Sequence, residues 1–398
     1  MFGQDVTVYQ PQPPDPRAFP VVAWGGSPSD PELLRGMKEA GITVSGFCKP
    51  EDLDKVQAAG LHCFVTDKRI SLSHDEWDKL PPENQLRENI ASLVRRVADH
   101  PAALGYFLVD EPNYSMMANL GKVAAILREL APDKLPYVNL FPAYVSRHST
   151  APTGWYEPYV RSLIEVIRQP FISYDCYALA DGEMMGKFYH NLEIIRRISL
   201  ETRVPFWNIV LSNAHFSYME PTEATVHLQA YATMAYGGRG IEWFTYMGYP
   251  QMRLSAVDAF GHKTPTWGML QRINYEVFAL VPTLLKLHST GVYHYPDVPV
   301  QGKPLSESTL VKSIEATTDY TRPMLAGRFL IGEFRDGQDR PYLMIVNKDL
   351  HHSFRFRLEA KQPLAKMHMI SPSSGEEEVL ATDMNWLAPG SGMLLRLE

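Results

Sequence analysis

Cysteine is scarce in this chain of 398 residues, which carries three: Cys48, Cys63 and Cys176. Three cysteines cannot build a disulfide framework, and no CxxC spacing points to a zinc site. They read as buried free thiols, although Cys48 and Cys63 fall in neighbouring expected strands, which leaves one bridge open. No stretch of 18 apolar residues occurs, so no membrane span is expected. Runs rich in lysine and arginine are also missing, and 38 basic residues against 45 acidic ones give a net charge of −7. Such a chain does not attract nucleic acid or an anionic membrane through bulk charge. The sequence has no Walker loop, no Gly-x-Ser-x-Gly elbow and no HExxH pair. Histidines such as His190, His215, His227 and His262 are scattered. Neither a metal nor a cofactor is therefore expected. No signal peptide is visible, and the polar, proline-rich start reads as a trimmed junction. The compartment stays open, with a periplasmic or secreted location favoured if that reading of the start holds.

What is present is the balance of a globular protein with a sizeable core: 45% hydrophobic and 21% charged residues. Residues 1–18, with Pro11, Pro13, Pro14 and Pro16, read as an extended arm. Eight short apolar runs follow: Phe19–Trp24, Thr43–Cys48, Leu61–Thr66, Leu104–Asp110, Pro136–Phe141, Phe171–Tyr177, Pro205–Leu211 and Gly240–Tyr246. Between them lie helical patterns, such as Leu86, Ile90, Leu93, Val94 and Val97, or Leu120, Val123, Leu127 and Leu130. This alternation predicts a (β/α)₈ TIM barrel over residues 19–300. A doubly wound sheet is the other candidate, but the first strand ends Trp24-Gly25-Gly26-Ser27, without the GxGxxG phosphate loop. Residues 301–398 show short strand patterns with turns at Asp336–Asp339 and Ala388–Ser391, and predict a small all-β C-terminal sandwich.

In such a barrel the chemistry sits at the C-terminal ends of the strands. The fourth strand, Leu104–Val109, runs directly into Asp110-Glu111-Pro112. Proline ends the strand, because it has no N–H for the ladder. Two adjacent acids at that rim push one pKa up, as a proton donor near neutral pH requires. The bland reading is that the pair caps the next helix, for which Ser115 is better placed.

The run His100-Pro101-Ala102-Ala103-Leu104-Gly105-Tyr106-Phe107-Leu108-Val109-Asp110-Glu111-Pro112-Asn113 resembles strand 4 of the clan A retaining glycoside hydrolases, where the strand ends Asn-Glu-Pro. Gly261–Trp267 leading into Ile273–Val277 and Leu284-Leu285 resembles the barrel-closing helix of family 42 β-galactosidases, and Tyr342–Asp349 is similar to the β domain that follows such barrels. The resemblance implies that Glu111 is the general acid/base and that Asp110 stands where the clan has an asparagine that binds the sugar. It also implies a second glutamate at the end of strand 7. That strand reads Pro205-Phe206-Trp207-Asn208-Ile209-Val210-Leu211-Ser212-Asn213, with no carboxylate.

Two residues are candidates for the missing carboxylate. Asp175 ends strand 6, where Ser173, Asp175 and Tyr177 share a face. Glu242 lies in strand 8, about 13 Å below Tyr246 if both face inward. A third route is substrate assistance, with Asp110 orienting an acetamido group. Aromatic and amide side chains at strand ends suit sugar rings and hydroxyls: Trp24, Tyr177, Trp207, Trp243 and Tyr246, with Asn139, Asn208, Asn213 and His215. The loop 143–157 is expected to cover one side. The expected function is hydrolysis of a glycosidic bond in an oligo- or polysaccharide. The alternatives are a non-catalytic carbohydrate-binding barrel and a lyase or isomerase that uses Glu111 as base.

Overall fold

A computed structural model describes residues 11–145, 155–317, 327–380 and 385–398. Eight parallel strands lie at its centre: β1 (Val21–Ala23), β2 (Val44–Cys48), β3 (His62–Val65), β4 (Ala103–Asp110), β5 (Leu135–Asn139), β6 (Ile172–Asp175), β7 (Phe206–Leu211) and β8 (Ile241–Phe244). One main helix follows each strand: α1 (Pro31–Glu39), α2 (Leu53–Ala58), α3 (Glu83–Val97), α4 (Met117–Leu130), α5 (Tyr156–Ser162), α6 (Gly186–Thr202), α7 (Glu223–Ala235) and α8 (Pro265–Leu284). The strands are ordered β5-β4-β3-β2-β1-β8-β7-β6. Leu140, just past β5, bridges Tyr174 in β6, and its amide donates to Ser173 O at 3.0 Å. That contact closes the ring. The fold is a (β/α)₈ barrel, as the alternation of the sequence predicts.

A strand covered on both faces reads as an unbroken apolar run, and β1, Val21-Val22-Ala23, is buried throughout. Inside the barrel Val22, Val44, Phe64, Leu104, Tyr137, Phe171 and Trp207 form one cluster. Phe171 stacks on Trp207 with ring centroids 3.5 Å apart. This filled lumen is the floor on which the site rests. Cys48 and Cys63, on the adjacent strands β2 and β3, are joined as a disulfide across a Cα separation of 6.1 Å, and Cys176 is a buried free thiol. The reading of three free thiols therefore holds for Cys176 alone.

The C-terminal part is all β. Strands β9 (His288–Tyr295), β11 (Phe329–Arg335), β12 (Pro341–Asn347), β14 (Met367–Ile370), β15 (Glu377–Val379) and β17 (Gly392–Leu397) form a six-stranded sheet, ordered β9-β11-β12-β17-β14-β15. Strands β10 (Val311–Thr317), β13 (Phe354–Ala360) and β16 (Trp386–Leu387) form the second layer. The larger sheet begins at His288, ahead of the residue 300 at which the sequence pattern divides. Its two faces bury different cores. Ile331, Leu343, Ile345 and Leu395 meet the second layer, while Leu330, Met344, Val346 and Leu394 pack against the barrel. The barrel-side partner is α7, buried along almost its whole length. No described helix is long and apolar enough to cross a membrane.

Candidate active site

The ends of β4, β5 and β6 bring three carboxyl groups together. Asp110 closes β4. Glu111 follows with φ 47°, a left-handed conformation that costs a non-glycine residue on the order of 1–3 kcal/mol. Its amide donates to Asn139 O at 2.9 Å, and Pro112 O accepts from Tyr159 OH at 2.8 Å. These ties hold the turn in place, so the side chain of Glu111 departs from the strand direction at the barrel mouth. The turn does not serve as a helix cap. The chain enters α4 through a 3₁₀ turn, Tyr114–Met116, and no side chain caps that turn or α4, Ser115 included.

Asn139 stands between the acids. Its Nδ2 donates to Asp110 Oδ1 at 2.9 Å and to Asp175 Oδ1 at 3.2 Å. Glu111 and Asp175 lie close enough for each to act on the other's ionisation. Burial is the main force on all three. It pushes Asp110 up to about 6 against the opposing Asn139 hydrogen bond. Burial, and then the charge of Asp110, raise Glu111 to about 7. Asp175, 6% exposed, is driven well above the carboxylate range by burial and by its two acidic neighbours. Asp110 is drawn down slightly by the nearby His74, whose Nε2 meets Asp110 O at 2.9 Å.

Aromatic rings form an arc around these acids. Phe107 stacks on Phe47 at 3.8 Å, and Phe47 meets Trp24 edge-on at 5.2 Å. Trp24 lies 5.5 Å from Phe244, which stacks on Tyr177 at 5.1 Å. Tyr177 contacts His215 and Tyr218, each at 6.0 Å. His215 is oriented by Asn213 Oδ1 at 2.8 Å, and burial lowers its imidazole pKa. Most of the rings in this arc are half-buried, an arrangement suited to flat apolar faces on a ligand.

Of the residues singled out in the sequence, Glu111, Asp110, Asp175, Asn139, Tyr177, Trp24, Asn213 and His215 gather at this mouth. Four others do not. Trp207 points into the lumen but a layer too deep, on the floor against Phe171. Asn208, its neighbour on β7, faces outward to Thr233 Oγ1 of α7 at 2.8 Å. Trp243 likewise turns out to Asn274 Oδ1 at 2.9 Å. Tyr246 lies past the end of β8, where strand alternation no longer applies, and its hydroxyl accepts from Trp267 Nε1 of α8 at 2.9 Å. Glu242 does face the lumen, but it is fully buried below the acids, where Tyr137 OH donates to Oε2 at 2.6 Å and Ser173 Oγ lies 3.0 Å from Oε1. Most of the loop 143–157 lies outside the described residues.

The sequence reading missed Tyr137, Phe107, Phe244 and His74. Phe244 was legible as the residue two beyond Glu242. Phe107 was obscured by a register shift in β4 between Phe107 and Val109. His74 arrives from a one-turn helix, His74–Trp77, with no local signal. Among the described residues no group of three or more metal-ligating side chains is arranged to hold a metal ion.

A (β/α)₈ barrel with its acids at the strand ends and a β-sandwich behind it defines the architecture. Three solved structures resemble it. A glycoside hydrolase family 5 structure from Bacteroides vulgatus ATCC 8482 aligns over 95% of this chain and 89% of its own, with a TM-score of 0.58 and 12% identity. A β-galactosidase from the psychrophilic Marinomonas ef1 aligns over 69% of this chain, with a TM-score of 0.53 and 11% identity, and this chain spans 63% of its length. The endo-β-1,4-mannanase from Thermotoga petrophila aligns over 86% and 97%, with a TM-score of 0.51 and 10% identity. At these identities the likeness shows the fold. No family model and no curated protein matches the sequence.

Proposed function

We propose that this chain is a glycoside hydrolase in which Glu111 is the general acid/base and Asp175 the second carboxylate. The observation that carries the reading is the cluster of Asp110, Glu111 and Asp175, with Asn139 Nδ2 bridging the two aspartates, in an aromatic-rimmed mouth at the ends of β4 and β6. The glycoside hydrolase folds that this barrel resembles support it. Glu111, held protonated near neutral pH by burial and by Asp110, delivers its proton to the glycosidic oxygen as the C1–O bond breaks. In the reactive form of the pair the proton lies on Glu111 and Asp175 is ionised, and Asp175 then attacks C1 and forms a glycosyl ester. Water, deprotonated by Glu111, displaces Asp175 and restores both groups. A route through a glycosyl ester retains the configuration at C1. Asn139 holds Asp175, and Asp110 keeps Glu111 acidic. Glu242 lies beneath this chemistry and does not reach the sugar.

A non-catalytic carbohydrate-binding barrel is the second reading. It is favoured by the end of β7, where Leu211-Ser212-Asn213 supplies no carboxylate. Both readings are tested by assaying a panel of aryl glycosides and glycans with the native chain and with Glu111→Gln. The proposal expects a fall in kcat of about 10²–10⁴-fold in the variant, an unchanged fold by circular dichroism, and a first product of retained configuration by proton NMR. Full activity in Glu111→Gln refutes the assignment, and glycan binding without turnover in the native chain selects the second reading.

A further inference from the structure

Glu242 is buried in the lumen, and no lysine or arginine is among the described groups that act on it. Its neighbours allow its protonation state to be deduced by counting hydrogens. Tyr137 OH accepts from Trp24 Nε1 at 2.9 Å and, although Ser173 Oγ lies 3.1 Å away, spends its one proton on the nearer Glu242 Oε2 at 2.6 Å. Ser173 Oγ also has one proton. It lies 3.0 Å from Glu242 Oε1 and 3.1 Å from Asn139 Oδ1. Asn139 Nδ2 is committed to Asp110 and Asp175, so Oδ1 faces Ser173 and can only accept. Every group is satisfied in one arrangement: Ser173 donates to Asn139, and Glu242 donates to Ser173. That arrangement requires Glu242 to be a neutral carboxylic acid. If Glu242 ionises, the Ser173 proton turns toward it, and Asn139 Oδ1 loses its donor among the described residues.

We propose that Glu242 is a positioning residue that, in its acid form, acts through Ser173 and Asn139 to hold Asp110 and Asp175 in place and to favour their ionised forms. The inference rests on the glycosidase reading of the same site. Hydrogen bonds in a chain polarise one another. A Ser173 proton on Asn139 Oδ1 strengthens the Asn139 N–H groups as donors, and donors to a carboxylate favour its charged form. The groups that face this relay are few. Tyr137 from β5, Ser173 from β6 and the charge of Asp110 from β4 act on Glu242. Glu111, His74 and Tyr177 face the two aspartates at its upper end. Burial raises Glu242 to about 7, in keeping with a neutral form at and below that pH.

Three variants test the relay. Ser173→Ala breaks it in the middle and Glu242→Leu at its base, whereas Glu242→Gln keeps a donor toward Ser173 and an acceptor toward Tyr137. Ser173→Ala and Glu242→Leu should each lower kcat by about tenfold with little change in KM. Both should also move the acid limb of the pH profile upward, because weaker donors raise the aspartate pKa values. Glu242→Gln should recover most of what Glu242→Leu loses and leave the acid limb where it stands. A merely structural role would lower the profile without shifting its limb. Glu242→Gln failing as badly as Glu242→Leu, or Ser173→Ala leaving the limb in place, overturns the proposal. The same variants are titrated by carboxyl ¹³C NMR, with Asp110 and Asp175 identified by substitution. This readout needs no turnover: a wholly inactive native chain that still shows the upward shift in Ser173→Ala refutes the glycosidase reading and keeps the relay. An unmoved titration refutes the relay itself.

Discussion

Glu111 combines two costs that stability alone does not explain: a left-handed backbone and a carboxyl group raised by burial next to a second acid. Such strain persists where the surroundings over-determine it, and here Asn139, Pro112 and Tyr159 do so. The raised acids also make stability depend on pH. Glu242 titrates at about 7 in the folded chain, against about 4.3 for an unfolded glutamate. Below about pH 4 both states hold the proton and Glu242 has no effect on the balance. Between about 4 and 7 the unfolded chain gives up the proton first, so stability falls as pH rises, and above 7 the full loss is in place. Glu242→Gln should therefore raise unfolding stability by on the order of 2–3 kcal/mol at pH 8 and by nothing at pH 4. Thermal denaturation at the two pH values checks this. Equal gains at both would mean that the side chain is neutral or paired throughout.

At the scale of the element, the site follows from strand alternation and from the places where alternation breaks. On β6 the rule holds. Phe171 lies on the lumen floor, Ser173 in the relay, Asp175 at the acids and Tyr177 on the rim, so the period of two shows in the sequence which residues share the mouth. On β7 the same rule explains the failures, since Asn208 and Trp207 alternate and the one that faces inward lies too deep. Bulges are where the pattern could not be read. Val44 and Phe47 both face the lumen although they are three residues apart, because β2 shifts register between them. Gly46 permits this at φ 92°, and a Cβ there would lie 2.2 Å from Gly25 O. Gly46→Ala should cost about 1–3 kcal/mol and weaken carbohydrate binding by displacing Phe47 and Trp24 from the rim. Calorimetry of unfolding and of glycan binding measures both effects. An alanine variant that binds as the native chain does would show that the rim does not depend on the bulge. His74 was illegible for another reason: contacts from a loop far along the chain leave no periodic trace.

For the whole molecule, the sandwich is part of the barrel's outer shell. α7 is apolar nearly all round because it lies between β7 and the six-stranded sheet, and the run Tyr342–Val346 is apolar because that sheet is buried on both faces. The switch from helix to strand pattern was visible in the sequence, but the seam was not, since a strand with two buried faces looks the same whatever covers it. Gly332 marks the closest approach on β11: a Cβ would lie 2.3 Å from Ala235 O at the end of α7. Gly332→Ala should cost about 1–3 kcal/mol through overpacking, seen as a lower Tm with the acids of the site unaffected. An unchanged Tm would mean that the two layers can separate freely.

The most direct measurement is the titration of the Glu111 carboxyl carbon by ¹³C NMR, assigned by comparison with Glu111→Gln and repeated in Asp110→Asn. A buried Glu111 raised by the charge of Asp110 gives a midpoint near 7 that falls when that charge is removed. A midpoint near 4 that ignores the replacement would show a solvated, independent acid and contradict its role as proton donor.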